Sequence, residues 1–190
     1  MSRKASNLRE ELILAGIEEI NQYGIAHFSI RRVAEACNVS CAAPYRHFKE
    51  KNDLIAAIID YVNDRWAEQQ EIIVSRCSDS MREQIIEISI GYIRFLMEKP
   101  FYRAVLLLKD EPFNNLYHKK RTQFGSMSQT LEVGLFEESG VDVDTWRRKL
   151  LVVRSLIFGS VFLFDAGEFE YNEKTMEDIR YSINREFETS

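Results

Sequence analysis

Between Ser40 and Lys51 this 190-residue chain gathers side chains suited to contact with a polyanion. They are a hydroxyl at Ser40, a thiol at Cys41, methyl groups at Ala42 and Ala43, a phenol at Tyr45, a guanidinium at Arg46, an imidazole at His47 and an ammonium at Lys51. Arginine, lysine, tyrosine and histidine donate to phosphate oxygens, whereas small apolar groups touch thymine methyls and arginine reads guanine. Catalytic chemistry finds no comparable set. The residues three before His27, His47 and His118 are Gly24, Pro44 and Asn115, so the Glu-x-x-His pairs of a di-metal helical bundle are missing. No glycine-rich phosphate loop, nucleophile elbow or zincin motif is present. Cys37, Cys41 and Cys77 are odd in number and no histidine stands beside them, so they read as small side chains and not as a disulfide or metal framework. No enzyme activity, cofactor or metal is expected.

Composition supports a folded, water-soluble protein, with 45% hydrophobic and 29% charged residues. The net charge of −5 at first opposes a nucleic-acid partner. Its distribution does not: the first 51 residues carry 8 Lys and Arg against 6 Glu, and the rest carries 17 against 24 acidic residues. A DNA contact therefore belongs to the N-terminal quarter. Met1 to Asn7 is short and polar, and the most apolar stretch, Leu150 to Phe164, is interrupted by Arg154, so neither a signal peptide nor a membrane span is expected and a cytoplasmic location is implied.

The elements that must hold these residues are helices, because apolar residues recur at three and four throughout and only three prolines and eight glycines interrupt them. Leu8, Leu12, Ile13, Ile17, Ile20 and Tyr23 mark a first helix that stops at Gly24. Ser29 is expected to cap a short helix from Ile30 to Cys37, Asn38 to take a left-handed turn, and Ser40 to cap a third helix. A fourth starts near Asn52 and runs to about Ile73; another passes through Ile85 to Leu96 and ends before Pro100. Phe101 to Leu108, Asn115 to Glu138, Thr145 (capped by Asp144) to about Asp165, and Glu173 to Glu188 complete an all-α chain. The expected domains are 1–51, a three-helix unit with a helix-turn-helix, and 52–190, a helical bundle for dimerisation and ligand sensing.

From spacing alone, Ile30 to Phe48 fits either a structural helical hairpin or a helix-turn-helix. The flanks decide between them. A first helix ending in Tyr23-Gly24, then Ser29-Ile30-Arg31-Arg32-Val33-Ala34, then Val39-Ser40-Cys41-Ala42-Ala43-Pro44-Tyr45-Arg46-His47-Phe48, then Lys51-Asn52-Asp53-Leu54, resembles the TetR family of transcriptional regulators. The specific part is Tyr45, His47-Phe48, Lys51 and Leu54, and the resemblance covers about the first quarter of the chain. The chain departs from the family pattern at Asn38, where glycine is usual in the turn, and at Pro44, where an apolar residue is usual ahead of the tyrosine. Pro44 is expected to be tolerated because it falls within the first turn of its helix.

The resemblance implies a homodimer that binds double-stranded operator DNA, habitually a repressor, released by a small-molecule effector. It places Tyr45, His47 and Lys51 at the DNA backbone. The residues themselves add Arg31 and the helix N-termini at Ser29 and Ser40, whose free N–H groups suit phosphate. Base reading falls to Ser40, Cys41, Ala42, Ala43 and Arg46, a set with few hydrogen-bonding groups. Phe48 reads as core, Tyr45 fits packing and phosphate contact equally, and Arg32 and Lys49 read as solvated charges.

Dimerisation is expected on the last two long helices, through Leu150, Val153, Arg154, Ile157, Val161, Phe162, Tyr181 and Phe187, because the penultimate helix is apolar around most of its circumference. A core wholly within one subunit is the alternative. Trp66, Tyr92, Phe95, Phe101, Tyr102, Phe124, Met127 and Phe158 are candidate walls of a pocket for an apolar or aromatic effector, or plain core. A helix-turn-helix adaptor that binds protein is the remaining alternative to DNA.

Overall fold

A computed structural model describes residues 5–78, 80–106 and 126–188. These residues form eight α-helices and one 3₁₀ turn, with no strand among them. The helices are α1 (Ala5–Tyr23), α2 (Ile30–Ala36), α3 (Lys51–Val74), α4 (Met81–Glu98), α5 (Pro100–Leu106), α6 (Ser126–Ser139), α7 (Val143–Asp165) and α8 (Glu173–Glu186), and the 3₁₀ turn is Pro44–Arg46. The all-α expectation holds. The first part of the helix expected from Asn115, and Phe124 with it, lie outside the described residues.

Two compact units are present, one from residues 5–65 and 99–106 and the other from 66–98 and 126–188; α3 contributes to both. In the first unit α1 packs on α2 and α5. Its core is Leu12, Ile13, Ile17, Ile20, Phe28, Val33, Ala34, Phe48, Leu54, Ile55, Ile58, Ile59 and Val62, all buried. Burying each large aliphatic side chain contributes about 1.5–3 kcal/mol before conformational entropy is counted. In the second unit α4 is central and touches α6, α7 and α8. Position explains its composition: Ile85, Ile86, Ile88, Ile90, Tyr92, Ile93, Phe95 and Leu96 are buried on several sides of one helix.

Local chemistry sets the boundaries. Gly24 ends α1 in a left-handed conformation (φ 71°), with its N–H on Ile20 O at 2.8 Å. Pro100 opens α5, a first-turn position where its missing N–H costs nothing. The α7 cap is Asp142 and not Asp144: its carboxylate accepts from Thr145 N at 2.9 Å, the N3 amide of a helix that starts at Val143. Asn172 caps α8 the same way.

The helix-turn-helix backbone is fixed by a Schellman arrangement at the end of α2. Val39 N–H bonds to Ala34 O and Asn38 N–H to Glu35 O, both at 3.0 Å. Asn38 stands at φ 55°, the one non-glycine residue with positive φ among those described. The short asparagine side chain tolerates this conformation better than most.

Beyond the turn, the expected α-helix from Ser40 is not formed. An α-helix capped by Ser40 needs its first bond from the N–H of residue 44 to Ser40 O, and Pro44 has no N–H. The chain uses shorter bonds: Ala43 N–H to Ser40 O at 2.9 Å, Arg46 N–H to Ala43 O at 3.1 Å and His47 N–H to Pro44 O at 2.9 Å. Ala43, without a side-chain cap bond, precedes the 3₁₀ turn, so Ser40 is not its cap. Pro44 is expected to cost less in a first turn than in a helix interior, but here it takes the place of the amide that would make the first bond.

Two outcomes follow from this backbone. Asn38→Val should lower the unfolding free energy by about 1–2 kcal/mol, while Asn38→Gly should cost nothing; urea denaturation checks both, and equal stability of the two variants contradicts the left-handed assignment. Pro44→Ala should let residues 41–48 become α-helical, seen as helical Cα chemical shifts across that segment; shifts unchanged from the parent protein would mean that the proline is not the cause.

Candidate nucleic-acid interface

The seven-residue α2 buries Ile30, Val33 and Ala34 and leaves Arg31 outside. The Arg31 side chain is 77% exposed and its Nε donates to Glu35 Oε1 at 2.9 Å, which holds the guanidinium above its ordinary pKa. Ser29 caps α2 as expected, its Oγ accepting from Arg32 N at 3.4 Å. The N-terminus is nevertheless not free. Ser29 N–H donates to Glu19 Oε1 at 3.0 Å, so a carboxylate of the protein already sits where a phosphate was expected. The second expected helix N-terminus, at Ser40, is replaced by the 3₁₀ turn.

Across that turn Ser40, Cys41, Ala42, Tyr45 and Arg46 are exposed, while Ala43 and His47 are half-buried. Tyr45 keeps 55% of its surface open, which removes the plain-core reading of that residue. Pro44 and Phe48 face inward and anchor the turn; Phe48 is 4% exposed, with the Arg9 guanidinium 5.4 Å from its ring centre. His47 stands 6.4 Å from Phe48, ring to ring. Lys51 is half-buried at the first position of α3, its Nζ 5.7 Å from the Phe28 ring centre. That helix start is closed by the chain itself, since Asp53 Oδ2 accepts from Lys49 N at 3.0 Å and Glu50 N at 3.3 Å.

Arg32 was read as a solvated charge and is not one. Its Nε donates to Glu19 Oε1 at 2.9 Å and Oε2 at 3.2 Å, its Nη2 donates to Glu19 Oε1 and His27 O, and its guanidinium lies 4.2 Å over the Tyr23 ring. Glu19 is 6% exposed. A faint signal existed: Leu12, Gly16, Glu19 and Tyr23 share one helical stripe, which sets the carboxylate on an inward side.

The other candidate residues separate into groups. Trp66, Tyr92 and Phe95 are buried together in the second unit, with ring centres 4.8 Å (Trp66–Tyr92) and 5.3 Å (Trp66–Phe95) apart, and Phe158 meets Tyr92 edge-on at 6.2 Å. Burial pushes the Tyr92 phenol well above its ordinary pKa. Met127 is half-buried on α6 of that unit. Phe101 and Tyr102 belong to the first unit, where Tyr102 packs on Tyr61 at 6.5 Å.

On α7 and α8, Val153, Ile157, Val161 and Phe187 are buried within this chain. Leu150 is half-buried, and Arg154 pairs with Glu132 at 3.1 Å. Of the expected set, Phe162 (68%) and Tyr181 (64%) point outward. Leu151, Val152 and Phe158 are exposed as well. No helix among the described residues is long and apolar enough to cross a membrane.

Comparison with known proteins places this geometry. The family described as "Bacterial regulatory proteins, tetR family" matches residues 12–58, which contain the whole helix-turn-helix. The probable acrEF/envCD operon repressor of Escherichia coli K12 is 27% identical over 123 residues, 61% of this chain. The chain spans about half the length of the curated relatives it matches, 50% in this case. A TetR family transcription regulator from Marinobacter aquaeolei VT8 shares the fold with a TM-score of 0.76 at 19% identity, over 98% of each chain. A TetR variant from Acinetobacter baumannii AYE, solved in complex with minocycline, shares it with a TM-score of 0.57 at 18% identity, over 98% of this chain and 95% of the other. The segment from α1 into α3 is thus similar to the tetR family, and the chain shares its fold nearly end to end with a regulator of that family.

Proposed function

We propose that the protein is a repressor that binds a palindromic operator as a homodimer and is released from it by a small molecule. One observation carries the reading: the turn from Ser40 to Arg46 exposes Ser40, Cys41, Ala42, Tyr45 and Arg46, with Asn38 in its left-handed conformation behind it and buried Pro44 and Phe48 beneath it. It lies in the part of the chain where positive charge prevails. In this account Arg31, Tyr45, His47 and Lys51 meet phosphates, and Cys41, Ala42, Ala43 and Arg46 face the bases with Ser40 at the margin. Binding, not catalysis, is the activity proposed, and a cytoplasmic location goes with it. The proposed functional division is residues 1–51 for DNA and 52–190 for dimerisation and ligand sensing.

Two further features support the finer parts. Leu151, Phe158 and Phe162 repeat at helical spacing on the outer side of α7, with Tyr181 exposed on α8, a row that symmetric pairing would bury. The buried Trp66–Tyr92–Phe95 cluster, with Met127 on α6 of the same unit, suits an aromatic effector, as the minocycline complex of the Acinetobacter baumannii protein illustrates for a protein of this fold. Among the described residues Trp66 Nε1 has no hydrogen-bond partner, which favours an effector bearing an acceptor. Trp66 lies on the same unbroken helix as Lys51, about 22 Å along it at 1.5 Å per residue. Displacement at Trp66 would therefore reach the DNA-facing residues, with a coupling of about 1–3 kcal/mol.

The division of labour predicts distinct phenotypes. Lys51→Ala should weaken binding to all duplexes and lower the slope of log affinity against log salt by about one, whereas Arg46→Ala should change sequence preference. Fluorescence anisotropy with specific and random duplexes checks this, and equal effects of both substitutions on both duplexes would refute it. Phe162→Glu should yield a folded monomer in sedimentation velocity with weakened operator binding; a dimer that persists with Phe162→Glu and Leu151→Glu combined would place the interface elsewhere.

A further inference from the structure

We propose that Arg32 is a positioning residue for DNA binding that acts through the buried Glu19 carboxylate and makes no phosphate contact of its own. The inference rests on the DNA-binding reading above and adds a device to it. Glu19 Oε1 accepts from Ser29 N–H and from the Arg32 side chain, and Arg32 also reaches His27 O at 2.5 Å and covers the Tyr23 ring. Four parts of the chain thus meet at one carboxylate–guanidinium pair: the last turns of α1, the loop after Gly24, the α2 cap and the first turn of α2.

The need for such a tie follows from the size of α2. Seven residues with three buried side chains give burial little grip on the orientation of the helix. Glu19, 6% exposed, has lost its hydration and depends on the guanidinium and the Ser29 amide for compensation. Any tilt of α2 that breaks this fork strands the carboxylate, so the fork penalises tilting in every direction that separates Arg32 from Glu19. Arg31 is the neighbouring residue on α2, and the turn holding Tyr45 follows through the rigid Asn38 junction, so their placement is inherited from α2. Lysine cannot substitute, because a single ammonium does not reproduce a planar fork that serves both carboxylate oxygens and a carbonyl.

The test uses the full chain with Glu19→Gln, Arg32→Met, Arg32→Lys and the Glu19→Gln/Arg32→Met double variant. Binding to a random-sequence duplex of 30 or so base pairs is measured by anisotropy across a salt series, at a temperature where circular dichroism shows each variant fully folded. Each single variant, Arg32→Lys included, should lose about tenfold in affinity. The double should be no worse than its weaker parent, and the salt slope should stay that of the wild type. Three results overturn the proposal. Arg32→Lys binding like wild type, with Arg32→Met lowering the salt slope by about one, would make Arg32 a phosphate contact. Unchanged affinity in all folded variants would remove any positioning role while leaving the DNA-binding reading intact. A wild-type protein that binds no duplex at any salt concentration would end that reading, and this inference with it.

Discussion

A seven-residue helix followed by a single 3₁₀ turn has no stability of its own, because helix nucleation costs more than so few hydrogen bonds return. Everything this protein presents to a partner at its N-terminal end is built from those two pieces. Their shape is therefore borrowed from the rest of the unit, α1 in particular, through Ile30, Val33 and Ala34 on one side of the Asn38 junction and Pro44 and Phe48 on the other. The dependence explains why the geometry of the junction is carried by backbone bonds, Val39 to Ala34 and Asn38 to Glu35, that no side-chain exchange removes directly. It also explains a buried carboxylate in so small a core, since a fork of hydrogen bonds has a direction and apolar contact has none.

The second unit has the opposite excess. Its helices carry more apolar surface than the chain itself covers: α4 is buried on several sides, while α7 buries Trp146, Val153, Ile157, Val161 and Phe164 and still leaves Leu151, Val152, Phe158 and Phe162 outside. In the proposed function that outward row pairs with a second copy of the chain. In the proposed function the two imbalances answer one another, because a weak single DNA contact needs a symmetric partner and the apolar row supplies the means to recruit one.

Much of this was legible from the sequence, and the exceptions have physical causes. Gly24, Ser29 and Asn38 act locally, through their own φ or a bond three residues away, so each could be placed from composition and neighbours. Pro44 was misjudged because the cost of a proline depends on which amide carries the first helical bond, and counting from Ser40 makes residue 44 that amide. The Glu19–Arg32 fork joins residues thirteen apart on two helices whose crossing the sequence does not reveal, and Arg32 beside Arg31 looks like one more surface charge. On α7 the run of apolar residues marks most of the circumference as apolar, but not which face this chain covers itself. Val153 and Ile157 belong inside, and Leu151, Phe158 and Phe162 outside, because α4 and α8 approach from one side.

The central claim is that two copies of the Tyr45 turn are offered to DNA at a fixed separation. Selection of bound molecules from a pool of random duplexes, followed by sequencing, tests it most directly. The account predicts enrichment of an inverted repeat whose half-site centres lie about one helical turn, 34–36 Å, or a related spacing apart. Enrichment of a lone, unrepeated site, or of no sequence at all, would contradict it.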